Sequence, residues 1–167
     1  MKTILTLFLC LVSFFAQGQI KNNFWGLKIG ESTMKQVSSV VKDKKLRFRI
    51  FPEAVAVLGS IEFAGERWNG LTFHFINNKL FAVVFALESQ HSNEETFLTL
   101  AETLIEKYEK DLDDFDMNKV ETYIQFLDEN NILLKLSYNK NTDVVNLGYS
   151  DMELLEEYRL NLRDNDL

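Results

Sequence analysis

The amino-acid sequence predicts an α+β fold: an antiparallel sheet of six to seven strands with helices packed on one face. Three observations carry that expectation. Short stretches of alternating apolar and polar residues recur along the chain, separated by turn residues, as in hairpins. Three longer stretches place apolar residues at helical spacing. Strands come in runs between the helices, so they pair with their sequence neighbours and run antiparallel.

The first 18 residues stand apart from this fold. Lys2 supplies a positive start, Ile4 to Phe15 is apolar except for Thr6 and Ser13, and Ala16-Gln17-Gly18 offers small residues at a cleavage point. This is the pattern of a secretory signal peptide cut after Gly18. The apolar run falls short of the roughly 20 residues a membrane span needs. A single domain over residues 19–167 is therefore expected outside the cytoplasm, in the periplasm or the extracellular space, with no membrane insertion. Cys10 is the one cysteine of the chain and lies in that leader. Leu9 before it is not the small residue of a lipidation motif. Once the leader is removed, disulfides, thiolate metal ligands and a thiol nucleophile are all excluded.

The elements follow in order. Thr33 and Gln36 have capping-box spacing, and Met34, Val37, Val40 and Val41 form one stripe of a first helix. Lys42, Lys44 and Lys45 fall in its last turn, where the helix dipole favours cations. Leu46, Phe48 and Ile50 alternate with Arg47 and Arg49 in a strand that Pro52 ends. Val55 to Phe63 reads as a strand interrupted at Gly59. Trp68 to Ile76 and Leu80 to Leu87 form a hairpin over Asn77-Asn78, with Phe81, Val83, Phe85 and Leu87 expected on one face. A second helix starts at Ser92, capped with Glu95, and buries Phe97, Ala101, Leu104, Ile105 and Tyr108. Val120 to Leu127, Ile132 to Tyr138 and Val144 to Tyr149 make three more strands. Ser150 and Glu153 then cap a third helix through about Leu162, lined by Met152, Leu155 and Tyr158.

Composition narrows the function classes. With 46% hydrophobic residues the chain has enough apolar material for a core. Its net charge of −7 excludes nucleic acid and anionic membrane surfaces as partners. Gly26 and Gly30 lack the third glycine of a dinucleotide loop, and no Gly-Lys-Ser/Thr follows them. Asp114, Asp116 and Asn118 match the first positions of a calcium loop, but Lys119 and Gln125 stand where glycine and glutamate belong. His74 and His91 have no partners at ligand spacing, so neither metal nor cofactor is expected. No Gly-x-Ser-x-Gly nucleophile turn occurs. Glu62, Glu66 and Glu88 are the carboxylates a hydrolase would draw on, without a nucleophile and base to complete the set.

Three residues remain as interface candidates: Trp25, Trp68 and His74. Both tryptophans lie at element ends beside Gly26 and Gly70, where they serve either as partner anchors or as lids on the core. His74 alternates with Phe73 and Phe75 and so points away from them.

The segment Trp25-Gly26 to Gly30, Thr33, Gln36 and Val37, together with Trp68-Asn69-Gly70-Leu71-Thr72-Phe73-His74-Phe75-Ile76-Asn77-Asn78-Lys79-Leu80, resembles the β-lactamase-inhibitor-like proteins. The small outer-membrane assembly lipoproteins share that pattern. The similarity spans about residues 24–87. It implies helices on one face of an antiparallel sheet and a second face free to grip a partner protein. The chain departs from the pattern by one extra residue between Gly30 and Thr33, by a single leading helix, and by having neither lipobox nor paired cysteines. The expectation is a non-enzymatic binding protein of the cell envelope. A carrier of a small apolar ligand is the alternative, and a carboxylate-based hydrolase a further one.

Overall fold

The computed structural model describes residues 19–88, 93–108 and 121–165. A two-stranded hairpin, β1 (Asn23–Phe24) and β2 (Leu27–Lys28), precedes helix α1 (Met34–Asp43). Strands β3 (Arg47–Phe51), β4 (Ala54–Phe63), β5 (Glu66–Ile76) and β6 (Lys79–Glu88) follow, then α2 (Glu94–Tyr108). Strands β7 (Glu121–Leu127), β8 (Ile132–Asn139) and β9 (Val144–Asp151) lead into α3 (Met152–Asn165). The main sheet has seven strands in the order β3-β4-β5-β6-β9-β8-β7, every neighbouring pair antiparallel. Each of the first two helices is thus followed by a meander, and the last strands of the two meanders meet at the centre.

Local chemistry explains the starts and stops. The Thr33 hydroxyl accepts from the Gln36 amide, and the Gln36 side chain accepts from the Thr33 amide at 2.8 Å, the expected capping box. Val37 and Val41 are fully buried. At the β5–β6 turn, Asn77 and Asn78 have φ of +48° and +60°, as a two-residue hairpin with the right strand twist demands. Of the other two expected capping boxes, only the one at the last helix falls wholly within the described residues. Helix α2 begins after Asn93, whose carbonyl accepts from the Phe97 amide at 2.9 Å. Ser92 lies outside the described residues, as do His91, Val120 and the candidate calcium loop. Helix α3 is capped by Asp151, which accepts from the Leu154 amide at 3.1 Å. The Glu153 carboxylate takes a hydrogen bond from Asn131 instead of reaching back.

One core fills the space between the sheet and the first two helices. Phe73, Phe85, Leu134, Leu136, Val145 and Leu147 supply the sheet side, and Phe97, Leu100 and Ala101 the α2 side. The β1–β2 hairpin plugs it: Phe24 lies 4.9 Å from Tyr149 and 5.8 Å from Phe63, whose ring stacks on Phe85 at 4.2 Å. Burial of the Tyr149 hydroxyl holds its pKa well above the usual tyrosine range.

The third helix takes a different place from the one expected. A bulge falls between His74 and Phe75: His74 pairs with Ala82 and Phe75 with Leu80, so Phe81 is the extra residue. Leu80 therefore turns into the main core, while Phe81 joins Ile76 and Ala82 in a second cluster on the reverse face. The expected alignment of Phe81 with Val83, Phe85 and Leu87 fails for this reason. Leu154, Leu155 and Tyr158 of α3 pack on that second cluster, with the Tyr158 ring 4.9 Å from Phe81. Two helices share one face, and α3 covers one end of the other.

Gly30 joins these parts. Its φ is +86°, and an added Cβ would stand 3.0 Å from the Asp151 carboxylate that caps α3. Gly30→Ala should lower the unfolding free energy by about 2 kcal/mol, from left-handed strain and that contact. Gly26→Ala, at φ +81° with nothing within 4 Å of the new methyl, should cost less. Urea denaturation of the two variants checks the order; equal losses would remove Asp151 from the explanation.

Candidate functional site

The structure separates the three interface candidates. Trp68 is fully buried, opposite Ile61, with its ring 5.8 Å from Phe85. Its indole N–H donates to the Phe63 carbonyl at 2.8 Å. Trp68 is a core residue, which corrects its reading as an interface anchor. The register shift between Leu58 and Ile61 accompanies this inward turn.

Trp25 is the tip of the β1–β2 hairpin. Its φ is +56°, Gly26 follows at +81°, and the Asn23 side chain accepts from the Gly26 amide at 3.0 Å. The turn leaves the indole 37% exposed. Phe73 lies 6.1 Å away on its core side, and the Lys44 ammonium stands 4.9 Å over the ring.

His74 lies on the reverse face, half-buried, 6.1 Å from Phe81. Burial disfavours its charged form and pulls its pKa below the ordinary histidine value. The carboxylates considered for hydrolysis stand at strand ends. Glu62 lies opposite Arg67, Glu66 opposite Phe63, and Glu88 has its backbone bonded to the Asn69 side chain. Among the described residues no group of three or more His, Cys, Asp or Glu is arranged to hold a metal ion.

The register assembles a larger feature on the reverse face. One row crosses all seven strands: Arg49, Ala56, Thr72, Val84, Gly148, Lys135 and Gln125. A parallel row runs from Arg47 through Leu58, Gly70 and Ala86 to Asn146, Ser137 and Tyr123. Both rows are small at the central strands and long at the edges. The face is a shallow trough with a floor of alanine, glycine, threonine and valine. Its rims carry exposed Phe51 on one side and exposed Tyr123 and Leu127 on the other. Cations stand on both rims: Arg47 and Arg49 on β3, and Lys135, whose ammonium lies 4.3 Å over the Tyr123 ring. Lys135 also approaches Glu121 at 3.9 Å. Sequence reasoning set Arg47 and Arg49 in alternation with the apolar positions of a strand and passed over the small residues. Their signal was present in the alternation of Ala54, Ala56, Thr72, Ala82, Val84 and Ala86 with the aromatic and aliphatic core positions.

Space on the helix side is limited beneath Trp25. The pocket bounded by Phe24, Ile61, Leu71, Phe73, Val83 and Phe85 has about 30 Å³, room for about one water molecule.

No family model, curated protein or solved structure matches this chain. Among the described residues, no helix is long and apolar enough to cross a membrane.

Proposed function

We propose that this chain is an exported, non-enzymatic binding protein of the cell envelope that receives a protein partner on the reverse face of its sheet. The observation that carries the reading is the trough. Its central strands present side chains too small to fill it, and its rims present exposed aromatic, aliphatic and cationic groups. A surface element of a partner seated there would bury apolar floor and meet long side chains at both edges, the arrangement of an interface with a central contact and a polar rim. The rim arginines suit a partner with acidic groups at the same spacing. The alternative of an apolar-ligand carrier finds little room in the pocket beneath Trp25, which is far smaller than the several hundred Å³ of a ligand cavity.

A photo-crosslinking residue at Thr72, in the trough, and another at Glu102, exposed on α2, test this in the envelope fraction. One protein should be trapped from Thr72 and not from Glu102. Thr72→Arg, which fills the trough, should cut its yield by about tenfold, equivalent to about 1.4 kcal/mol. Equal yields from both positions, or an unchanged yield with Thr72→Arg, would overturn the reading.

A further inference from the structure

An open groove of about 440 Å³ lies between the β1–β2 hairpin, the end of α1 and the β4–β5 hairpin. Trp25, Lys44, Ser60, Glu62 and Arg67 line it. The chain as a whole is acidic, yet two cations enter this groove from two elements. Lys44 comes from the last residue capping α1, and Arg67 from β5. Neither is ion-paired with a carboxylate among the described residues. The Arg67 Nε donates to the Ser60 hydroxyl at 2.6 Å, which leaves the rest of its fork available and holds the side chain in the groove.

We propose that this groove binds an acidic saccharide, a sugar ring carrying a carboxylate or sulfate group. Three features converge on that chemistry. The partly exposed indole carries the Lys44 ammonium 4.9 Å over its ring and offers its remaining apolar edge to a sugar ring beside that cation. Lys44 and Arg67 offer charge-assisted hydrogen bonds to one anionic group. Glu62 and Ser60 accept hydrogen bonds from hydroxyls, a role a purely apolar acid leaves unfilled. An acidic peptide supplies carboxylates without the ring hydroxyls that Glu62 and Ser60 accept from. The groove is open, as suits a ligand that keeps part of its hydration. The groove shares no lining residue with the two rows of the trough, so either proposal can fail alone.

The two tryptophans make the test site-specific. Trp68 is buried in the core and reports folding, whereas Trp25 reports the groove. The purified protein is titrated with a trigalacturonate, a heparin-derived sulfated disaccharide, a neutral galactose trisaccharide and a hexaglutamate peptide. A saturable change in Trp25 emission is expected with at least one acidic sugar, and none with the neutral one. The stronger of the two acidic sugars names the anionic group. Lys44→Gln with Arg67→Gln should weaken that binding by about tenfold or more, with circular dichroism unchanged. Trp25→Asn, which tolerates positive φ, should weaken binding measured by calorimetry. No response to either acidic sugar would overturn the proposal. So would equal affinity for the neutral sugar or the peptide, or full affinity in the double variant.

Discussion

Trp68→Ala should lower the unfolding free energy by about 4 kcal/mol, close to the upper end for large-to-small changes in a core. The side chain is fully buried and lies against Phe85, near the centre of the aromatic cluster that includes Phe63 and Phe24. Truncation leaves a cavity that stiff neighbouring strands close only in part. It also orphans the Phe63 carbonyl, which loses its indole donor. Trp68→Phe separates the two effects: it refills most of the volume without restoring the donor, and should cost about 1–2 kcal/mol. Urea denaturation followed by far-ultraviolet circular dichroism measures both. A loss below about 1 kcal/mol for Trp68→Ala would contradict its placement in the core.

Asn93→Ala should cost about 2–3 kcal/mol. Asn93 is 1% exposed and ties three elements together. Its side-chain amide donates to the Leu87 carbonyl at the end of β6 and to the Asp143 carbonyl in the β8–β9 turn. Its backbone N–H donates to the Asp143 carboxylate at 3.1 Å, which also accepts from the Tyr138 hydroxyl at 3.0 Å. Alanine keeps the backbone bond and removes the amide donors, so two carbonyls in a dry place lose their partner. Asn93→Asp should be worse, because it sets a carboxylate against the same carbonyls. Hydrogen exchange at the Phe97 amide, which closes the first turn of α2, should accelerate in both variants. Unchanged stability in Asn93→Ala would mean that solvent reaches those carbonyls.

The parts of the fold that were legible in the sequence are those governed by neighbours in the chain. The Thr33 box, the Asn77-Asn78 turn and the alternation along β8 and β9 depend on residues a few positions apart. The last helix was misplaced because its docking depends on the bulge at Phe81, and a bulge changes facing without changing composition. Ser150 was taken for the cap of α3 because Asp151, one residue on, shares the same chemistry; Ser150 lies inside β9, paired with Ala82 and Leu133, whereas Asp151 is the strand's last residue and adjoins the helix. Site residues divide in the same way. Trp25 lies in a local turn, and its exposure follows from that turn. Trp68 was ambiguous because its burial rests on Ile61 and Phe85, distant in sequence. The trough was unreadable residue by residue, since each of its floor positions is unremarkable until seven strands set them in rows.

The bulge at Phe81 has an evolutionary consequence. Deleting Leu80 would restore simple alternation and put the phenylalanine in its place on the helix side. The platform under Tyr158 would vanish, although no residue of the tail had changed. Descendants of this chain that lose or gain a residue there should therefore also differ in how they place their C-terminal segment. Since that segment covers one end of the trough, strand length and the extent of the open face are inherited together.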